Sequence, residues 1–358
     1  MNGKGILKEL LADIMSRRFS ETGKLPSEAQ LCARFAASRM TVRGALAELQ
    51  RRGLIEKRNG AGSFLTERAR HKSGVIGLVI PDYAQFEFFS SMRQEIVRHC
   101  TRLNYRVAFV TTNERTRKAA VADIRAKVRQ LTEEGMEGVI FRPFVSSAYG
   151  RTNQAIVQIL HDAKIPVVLI DADIVPPPGR SENDLVSINN VEAGRRIARH
   201  LRDRGYRRFA FLAPERALAD NANWSNRLFG LAGELALLGS EDGVQALRFA
   251  PDDSAAIVAS LRGRKRPDVI VCGNDECAIR LMRALQDLGK RIPEDIAVVG
   301  FDNSSLSRTV SPALTTISQP MDKIAEMAFK TLLARIRYPN NDPRETYLAA
   351  PLVIRAST

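Results

Sequence analysis

The sequence is poor in the residues that build metal centres and disulfides. Its 358 residues hold four Cys, four His and one Trp, and acids fall short of bases, 40 Asp+Glu against 54 Lys+Arg. Cys32, Cys100, Cys272 and Cys277 are scattered, and the one close pair has no histidine pattern beside it, which argues against a disulfide framework and a zinc site. His71, His99, His161 and His200 follow no ligand spacing; His99 and His200 fall on predicted helices beside arginines and read as surface groups. GxGxxG, P-loop, HExxH and GxSxG motifs are absent, so no metal, no cofactor and no catalysis are expected. No stretch approaches the roughly 18 apolar residues of a spanning helix, and Lys8, Glu9 and Asp13 interrupt the start, which is unlike a signal-peptide core. The expectation is a cytoplasmic protein with no membrane partner.

What the sequence does have is length, apolar content and an uneven basic charge. At about 150 residues per domain the length suggests two or three folded units, and 44% hydrophobic residues suffice for buried cores. The formal net charge is +14, of which residues 1 to 72 carry +8 (15 Lys+Arg, 7 Asp+Glu) and the other 286 carry +6. Such a local excess favours a polyanionic partner, the plainer alternative being a solvated surface.

The first 66 residues read as a winged helix-turn-helix. Ile6, Leu7, Leu10, Leu11, Ile14 and Met15 lie at helical spacing. Ser27 and Gln30 form a capping box, so a second helix starts at Glu28 and buries Leu31 and Phe35. Ser38 can cap a third helix, Arg39 to Arg52, which buries Val42, Ala45, Leu46 and Leu49 and turns Arg39, Met40, Arg43 and Gly44 outward. Gly44 is costly inside a helix, about 1 kcal/mol relative to Ala, and close approach of another surface explains it most economically. After Gly53, the segment Leu54 to Leu65 reads as a hairpin reversing at Asn59-Gly60-Ala61-Gly62. In this geometry the third helix enters the major groove and the wing tip approaches a phosphate or the minor groove. Arg39 and Arg43 suit guanine edges, Ser38 and Thr41 suit phosphates, and Lys57 and Arg58 extend the footprint.

Residues 25 to 65, with Pro-Ser-Glu, Ser-Arg-x-Thr-Val-Arg, Leu-Ile-Glu and Gly-x-Gly-Ser-Phe, resemble the DNA-binding domain of GntR-type bacterial regulators. The resemblance implies DNA contacts at Ser38, Arg39, Thr41 and Arg43 and a wing tip at Gly60 and Gly62. With Ser27, Gly44, Lys57 and Arg58 these complete the expected DNA-binding set. Ala29 stands where that family usually has a DNA-touching Arg, which leaves site preference open.

Residues 67–74 are short, charged and without apolar periodicity, a tether between the N-terminal α+β domain of residues 1–66 and a C-terminal domain of residues 75–358. From 75 onward short β-branched runs alternate with helical stretches, as parallel strands joined by crossover helices do. Strands are predicted at 75–80, 106–111, 138–141, 166–170, 208–212, 268–272 and 296–301, too many for one comfortable sheet. The Pro176-Pro177-Pro178 stretch reads as the break between two doubly wound lobes with a cleft between them. Ligands in such sheets sit beyond the carboxyl ends of the strands. The candidates there are Asp82 with Phe86, Phe88 and Phe89; Arg142; Asp171 and Asp173; Trp224 with Arg227; Asn274 and Asp275; and Asp302 with Asn303. Carboxylates, amides, arginine and aromatic rings fit a polyhydroxylated ligand. The plainer alternatives are that Asp275 only caps a helix, that the phenylalanines are core and that Trp224 is a helix staple.

Segments 76–81, 188–213, 227–231, 268–279, 292–320 and 351–358 resemble the effector domain of LacI/GalR-type regulators, whose fold is the two-lobed, type I periplasmic-binding-protein-like α/β domain. That resemblance implies lobes closing about a hinge crossed three times, a homodimer, and polar ligand contacts at Asp171, Arg227, Asn274 and Asp302, with Gln319 a weaker one. A GntR head on such a body resembles sugar-responsive regulators of the AraR-like kind. The implied function is a one-component transcription regulator, a repressor that holds operator DNA and is released by a sugar. Effector-dependent activation, or repression that needs a corepressor, is the alternative on the same architecture. Two rivals of other classes compete. A GntR head also occurs fused to a pyridoxal-phosphate aminotransferase-like domain, but no Schiff-base lysine pattern is present here. A solute-binding protein would need export and has no use for a basic head.

Overall fold

In the computed structural model the described residues are 3–15, 19, 22–51, 53–58, 60–66, 74–80, 87–103, 105–110, 117–144, 149–176, 179–214, 217–220, 222–264 and 266–358. The expected tether, apart from Gly74, lies outside them, as do the wing residue Asn59 and the candidates Asp82 and Phe86.

The head contains α1 (Gly3–Met15), α2 (Glu28–Phe35), α3 (Arg39–Arg51) and the antiparallel pair β1 (Ile55–Arg58) and β2 (Gly62–Leu65). The capping box at Ser27 and Gln30 is present, and α2 ends on Ala36 in the left-handed region at φ 47°. One apolar cluster holds Ile6, Leu10 and Ile14 of α1, Leu31 and Phe35 of α2, and Val42, Ala45, Leu46 and Leu49 of α3. Of the α1 stripe read from spacing, Ile6, Leu10 and Ile14 are buried, Leu7 and Leu11 pack against the cluster partly buried, and the Met15 side chain lies outside the described residues; the polar face of α3 is left outside the cluster.

The body continues with β3 (Val75–Val79), α4 (Glu87–Arg102), β4 (Arg106–Phe109), α5 (Arg117–Glu133), β5 (Met136–Phe141), α6 (Gly150–Asp162), β6 (Val167–Ile170) and β7 (Asp184–Ile188). Then come α7 (Asn190–Asp203), β8 (Phe209–Leu212), α8 (Ala217–Asp220), α9 (Ala222–Leu237), β9 (Val244–Leu247), α10 (Ser254–Ser260), β10 (Val269–Cys272) and α11 (Asp275–Asp287). The chain finishes with β11 (Ala297–Asp302), α12 (Leu306–Thr309), β12 (Thr315–Ser318), α13 (Met321–Arg337), β13 (Glu345–Leu348) and β14 (Leu352–Val353). The first lobe is a six-stranded sheet ordered β13-β7-β6-β5-β3-β4 and the second one ordered β14-β12-β11-β10-β8-β9.

The chain passes between the sheets three times, after β7, after β12 and after β13. This corrects the break expected at Pro176-Pro177-Pro178, because β7 beyond it still pairs in parallel with β6. His200 corrects the surface reading: it is 9% exposed, its Nε2 lies 2.9 Å from Thr358 Oγ1, and burial lowers its pKa.

Two glycines let α7 and α9 touch backbone to backbone. A Cβ on Gly194 would lie 2.2 Å from the Arg227 carbonyl oxygen, and one on Gly230 would lie 1.9 Å from that of Val191. This contact fixes how far Arg227 stands from Asn190. Gly230→Ala should therefore cost about 1 to 3 kcal/mol as overpacking, seen as a lower urea midpoint; an unchanged midpoint would show that the helices part freely.

Candidate functional site

On the head, the outer face of α3 offers two differently placed guanidinium groups. Arg39 is exposed and its side chain has no partner among the described residues. Arg43 Nε donates to Glu28 Oε2 at 2.8 Å, and Lys57 Nζ approaches Glu28 Oε1 at 3.5 Å, so one carboxylate stands between helix and wing. Those two cations hold Glu28 below the usual carboxylate pKa, Arg43 most strongly. Ser38 caps α3 by accepting from the Thr41 amide at 3.2 Å, and the two hydroxyls lie 2.8 Å apart. Arg58 pairs with Glu56 at 2.6 Å and lies over the Phe64 ring, while Gly60 and Gly62 hold φ 72° and 107° at the wing tip. A Cβ on the exposed Gly44 would meet nothing within 4 Å, so nothing among the described residues needs a glycine there. Ala29 is exposed on the same head. Glu28 was quoted in the sequence motif but not assigned a role; its place opposite Arg43 depends on how α2 crosses α3.

In the body, the carboxyl ends of the strands border a cavity of about 790 Å³ lined from both lobes. Phe88, Phe89, Arg142, Asp171, Trp224, Arg227, Asn274, Asp275, Asp302 and Gln319 all lie in its wall. Arg142 follows β5 and Asp171 follows β6. Both side chains are 4% exposed, and Arg142 Nε and Nη2 donate to Asp171 Oδ2 at 3.0 and 2.8 Å. Arg142 also lies 4.7 Å over the Phe89 ring, and Phe89 meets Phe88 edge to face.

A buried amide relay continues from this pair into the second lobe. Asn223 Nδ2 donates to Asp171 Oδ1 at 2.8 Å, Asn190 Nδ2 donates to Asn223 Oδ1 at 3.2 Å, and Arg227 Nε donates to Asn190 Oδ1 at 2.9 Å. Arg227 Nη1 is taken by the Gly273 carbonyl at 2.6 Å, its guanidinium lies over the Phe301 ring, and its Nη2 makes no hydrogen bond among the described residues. Neither Asn190 nor Asn223 was singled out from sequence as a site residue. Asn190 carried a signal, as half of an Asn-Asn pair after a strand; Asn223 carried none beyond its neighbour Trp224.

Asp302 ends β11 with φ 118° and accepts from Gln319 Nε2 at 2.7 Å. Burial is the chief cause that pushes its carboxyl up to about 7, with Arg227 opposing and Asp275 and Asp171 reinforcing. Asp275 is 1% exposed, and its oxygens accept from Thr316 Oγ1 at 2.5 Å and the Ser304 amide at 2.7 Å, so both are committed within the chain. It is not the helix cap that the plainer reading offered. Asn274 is, accepting from the Cys277 amide at 2.9 Å. Trp224 lies flat on Gly273, whose added Cβ would fall 2.2 Å from the ring. The mouth is spanned by Glu87, whose carboxylate accepts from the Ser305 amide and hydroxyl at 2.9 and 2.8 Å. Asp173 lies away from this wall, paired with Arg180.

Residues 2–65 match the bacterial regulatory proteins of the gntR family, and residues 198–358 match the periplasmic binding protein-like domain. The chain joins a gntR-family regulatory head to a periplasmic binding protein-like body. It is a DNA-binding transcription regulator. It is 27% identical to an arabinose metabolism transcriptional repressor of Geobacillus stearothermophilus over 98% of this chain and 96% of that one. It is 28% identical to the HTH-type transcriptional repressor PurR of Vibrio atlanticus over 79% and 80% of the two chains. Among solved structures it resembles a LacI family transcriptional regulator of Enterococcus faecium with bound ribose, with TM-score 0.63 and 25% identity over 79% of this chain and 98% of that one. No helix among the described residues of this gntR-headed regulator is long and apolar enough to cross a membrane, and no group of three or more His, Cys, Asp or Glu among them could hold a metal.

The raised pKa of Asp302 has a signed consequence. The folded chain holds this proton up to about pH 7 whereas the unfolded chain releases it near the ordinary value of 3.8, so the group's contribution to stability is lost as pH rises between those values. Asp302→Asn lacks that loss, so its melting temperature should gain on the wild type steadily from about pH 4 to about pH 7; a constant offset across that range would contradict the assignment.

Proposed function

We propose that the chain is a one-component repressor that holds operator DNA as a homodimer and is released when a sugar or sugar derivative enters the cleft. It acts by binding, with no turnover, in the cytoplasm. The observation that carries this reading is the cleft wall: aromatic rings beside a charged, hydrogen-bonded frame in which the second terminal nitrogen of Arg227 and the second oxygen of Asp302 are still unspent. A donor and an acceptor beside an indole face suit a sugar ring, whose C–H groups pack on the indole while its hydroxyls both give and take hydrogen bonds. In this reading Arg227, Asp302, Asn274 and Gln319 meet hydroxyls, Trp224 and Phe88 meet the ring, and Phe89, Arg142, Asp171 and Asp275 position the others. The relatives named for arabinose metabolism and solved with ribose point the same way.

On the head, Arg39 and Arg43 take base edges, Ser27, Ser38 and Thr41 take phosphates, Gly44 admits the backbone, and Lys57, Arg58, Gly60 and Gly62 carry the wing contacts. A coupling of about 1 to 3 kcal/mol between cleft and operator would change DNA affinity some 5- to 150-fold, enough for a genetic switch.

Two variants separate the halves. Arg39→Ala should cost about 1 to 3 kcal/mol of operator affinity and relax sequence preference while a sugar still raises the melting temperature. Arg227→Ala should hold operator DNA as the wild type does and fail to release it at any sugar concentration. Normal release by the Arg227 variant, in an anisotropy titration against monosaccharides and their phosphates, would place the effector elsewhere; a variant tightened onto DNA by the same sugars would reverse the sign of the switch.

A further inference from the structure

The charge excess of the head was absorbed by the DNA-reading face, but a second basic concentration has no role in that account. It lies on the second lobe, at the amino-terminal ends of β8 and β10, the end of the sheet opposite the cleft. The described residues of segments 204–208 and 262–268 include Arg204, Arg207, Arg208, Arg262, Arg264 and Arg266 against the single acid Asp268. The sheet brings the two segments side by side, because β8 and β10 pair in parallel with Phe209 opposite Val269, so each segment enters its strand at the same level.

The arginines are not solvated halves of ordinary ion pairs. Arg204, Arg207, Arg262, Arg264 and Arg266 are exposed, and none meets a carboxylate among the described residues. On this lobe Arg280 pairs with Asp252 and Arg291 with Asp295, whereas Arg204, Arg207, Arg262, Arg264 and Arg266 gather at one end of the sheet without such a partner among the described residues. The acid that is present is occupied: Asp268 accepts from the Arg207 and Arg208 amides at 3.1 and 3.0 Å and lies 3.8 Å from the Arg208 guanidinium. The same end of the sheet also carries acids: Asp203 adjoins Arg204, Glu294 acts on Tyr206 within the patch, and Glu241 and Asp242 lead into β9 beside β8, so the arginines are in excess but not alone.

We infer that this rim is a second polyanion-binding surface, and that its partner is the phosphate backbone of duplex DNA beyond the operator contacted by the head. Unpaired guanidinium groups are the donors best matched to phosphate oxygens, and a row of them with no base-reading element grips a backbone without regard to sequence. A lipid surface is the poorer fit, since neither segment presents a large exposed apolar side chain to insert. The surface would add affinity for long DNA, or hold a second segment, without altering which operator is chosen.

The test uses the full-length protein and fluorescence anisotropy from low to moderate salt. One duplex spans the operator alone; another carries the same operator with long flanks. Wild type is compared with R262A/R264A/R266A and, should that variant melt early, with R204A/R207A. On the long duplex the triple variant should show a log–log salt slope shallower by about 2 to 3, from roughly 0.9 per lost phosphate contact, and weaker binding. On the short duplex both proteins should bind alike, which also tests the head separately. Equal slopes and affinities on the long duplex would overturn the inference. Equal DNA binding together with weaker retention on heparin would overturn it too, and would assign the rim to an acidic protein.

Discussion

The body of this regulator depends on one directed line of hydrogen bonds that ties its lobes together from Asp171 to Arg227. The carboxylate can only accept and the guanidinium can only donate. Between them Asn223 must turn its amide nitrogen toward Asp171, which leaves its oxygen for the Asn190 nitrogen, which in turn leaves the Asn190 oxygen for Arg227. Each amide is oriented by the one before it, and reversing either sets donor against donor. Arg142 completes the line at the first-lobe end by spending its fork on Asp171. Two buried cations and one buried anion are tolerated because every step is bonded; losing one member of such a set strands a charge, at a cost of about 3 to 5 kcal/mol.

The line also explains features that look unrelated. Asp171 and Asp302 occupy matching places after β6 and β11, one in each lobe, and both have left-handed backbones, φ 68° and 118°. Non-glycine residues in such regions cost on the order of 1 to 3 kcal/mol each and persist where the surroundings over-determine them. Here the surroundings are Arg142 and Asn223 for one and Gln319 for the other. The paired glycines of α7 and α9 do the same work from behind, since Arg227 and Asn190 meet only if those helices touch. Strain, close helix contact and amide direction all serve to hold polar groups along the cleft with little freedom to reorganise.

Much of this was legible because two periodicities and one topological rule carry it. The α3 stripe, Ile6, Leu10 and Ile14 of α1, and the apolar runs of β3, β6, β8, β10 and β11 are buried, and the rule that ligands sit beyond strand ends points to Asp171, Arg142 and Asp302, which line the cavity. The failures share a cause. β9 and β13 are edge strands, with burial too partial to show an apolar run, and β12 is Thr-rich. β7 is hidden in the sequence because the triple proline before it reads as a break between lobes. The relay amides were missed because Asn190 and Asn223 are 33 residues apart, and nothing local in Asn223 says that α9 crosses α7 at that point. Glu28 was missed likewise, its partners Arg43 and Lys57 being 15 and 29 residues away.

The weakest polar contacts lie where a partner would arrive. The Glu87 carboxylate spans the mouth to Ser305 from an exposed position, and the Glu28 carboxylate holds Arg43 from a surface one. Exposed charged contacts of this kind contribute about 0 to 1 kcal/mol, far less than the buried line costs to break. On the proposed reading, a ligand entering the cleft would displace Glu87 before it disturbed Asp171, and a guanine edge would compete with Glu28 for Arg43 at small cost while the α3 core stayed packed. Cheap polar contacts are placed where the partners arrive and expensive ones where the geometry must not move. That division lets one chain sense a ligand and hold DNA without unfolding either part to do so.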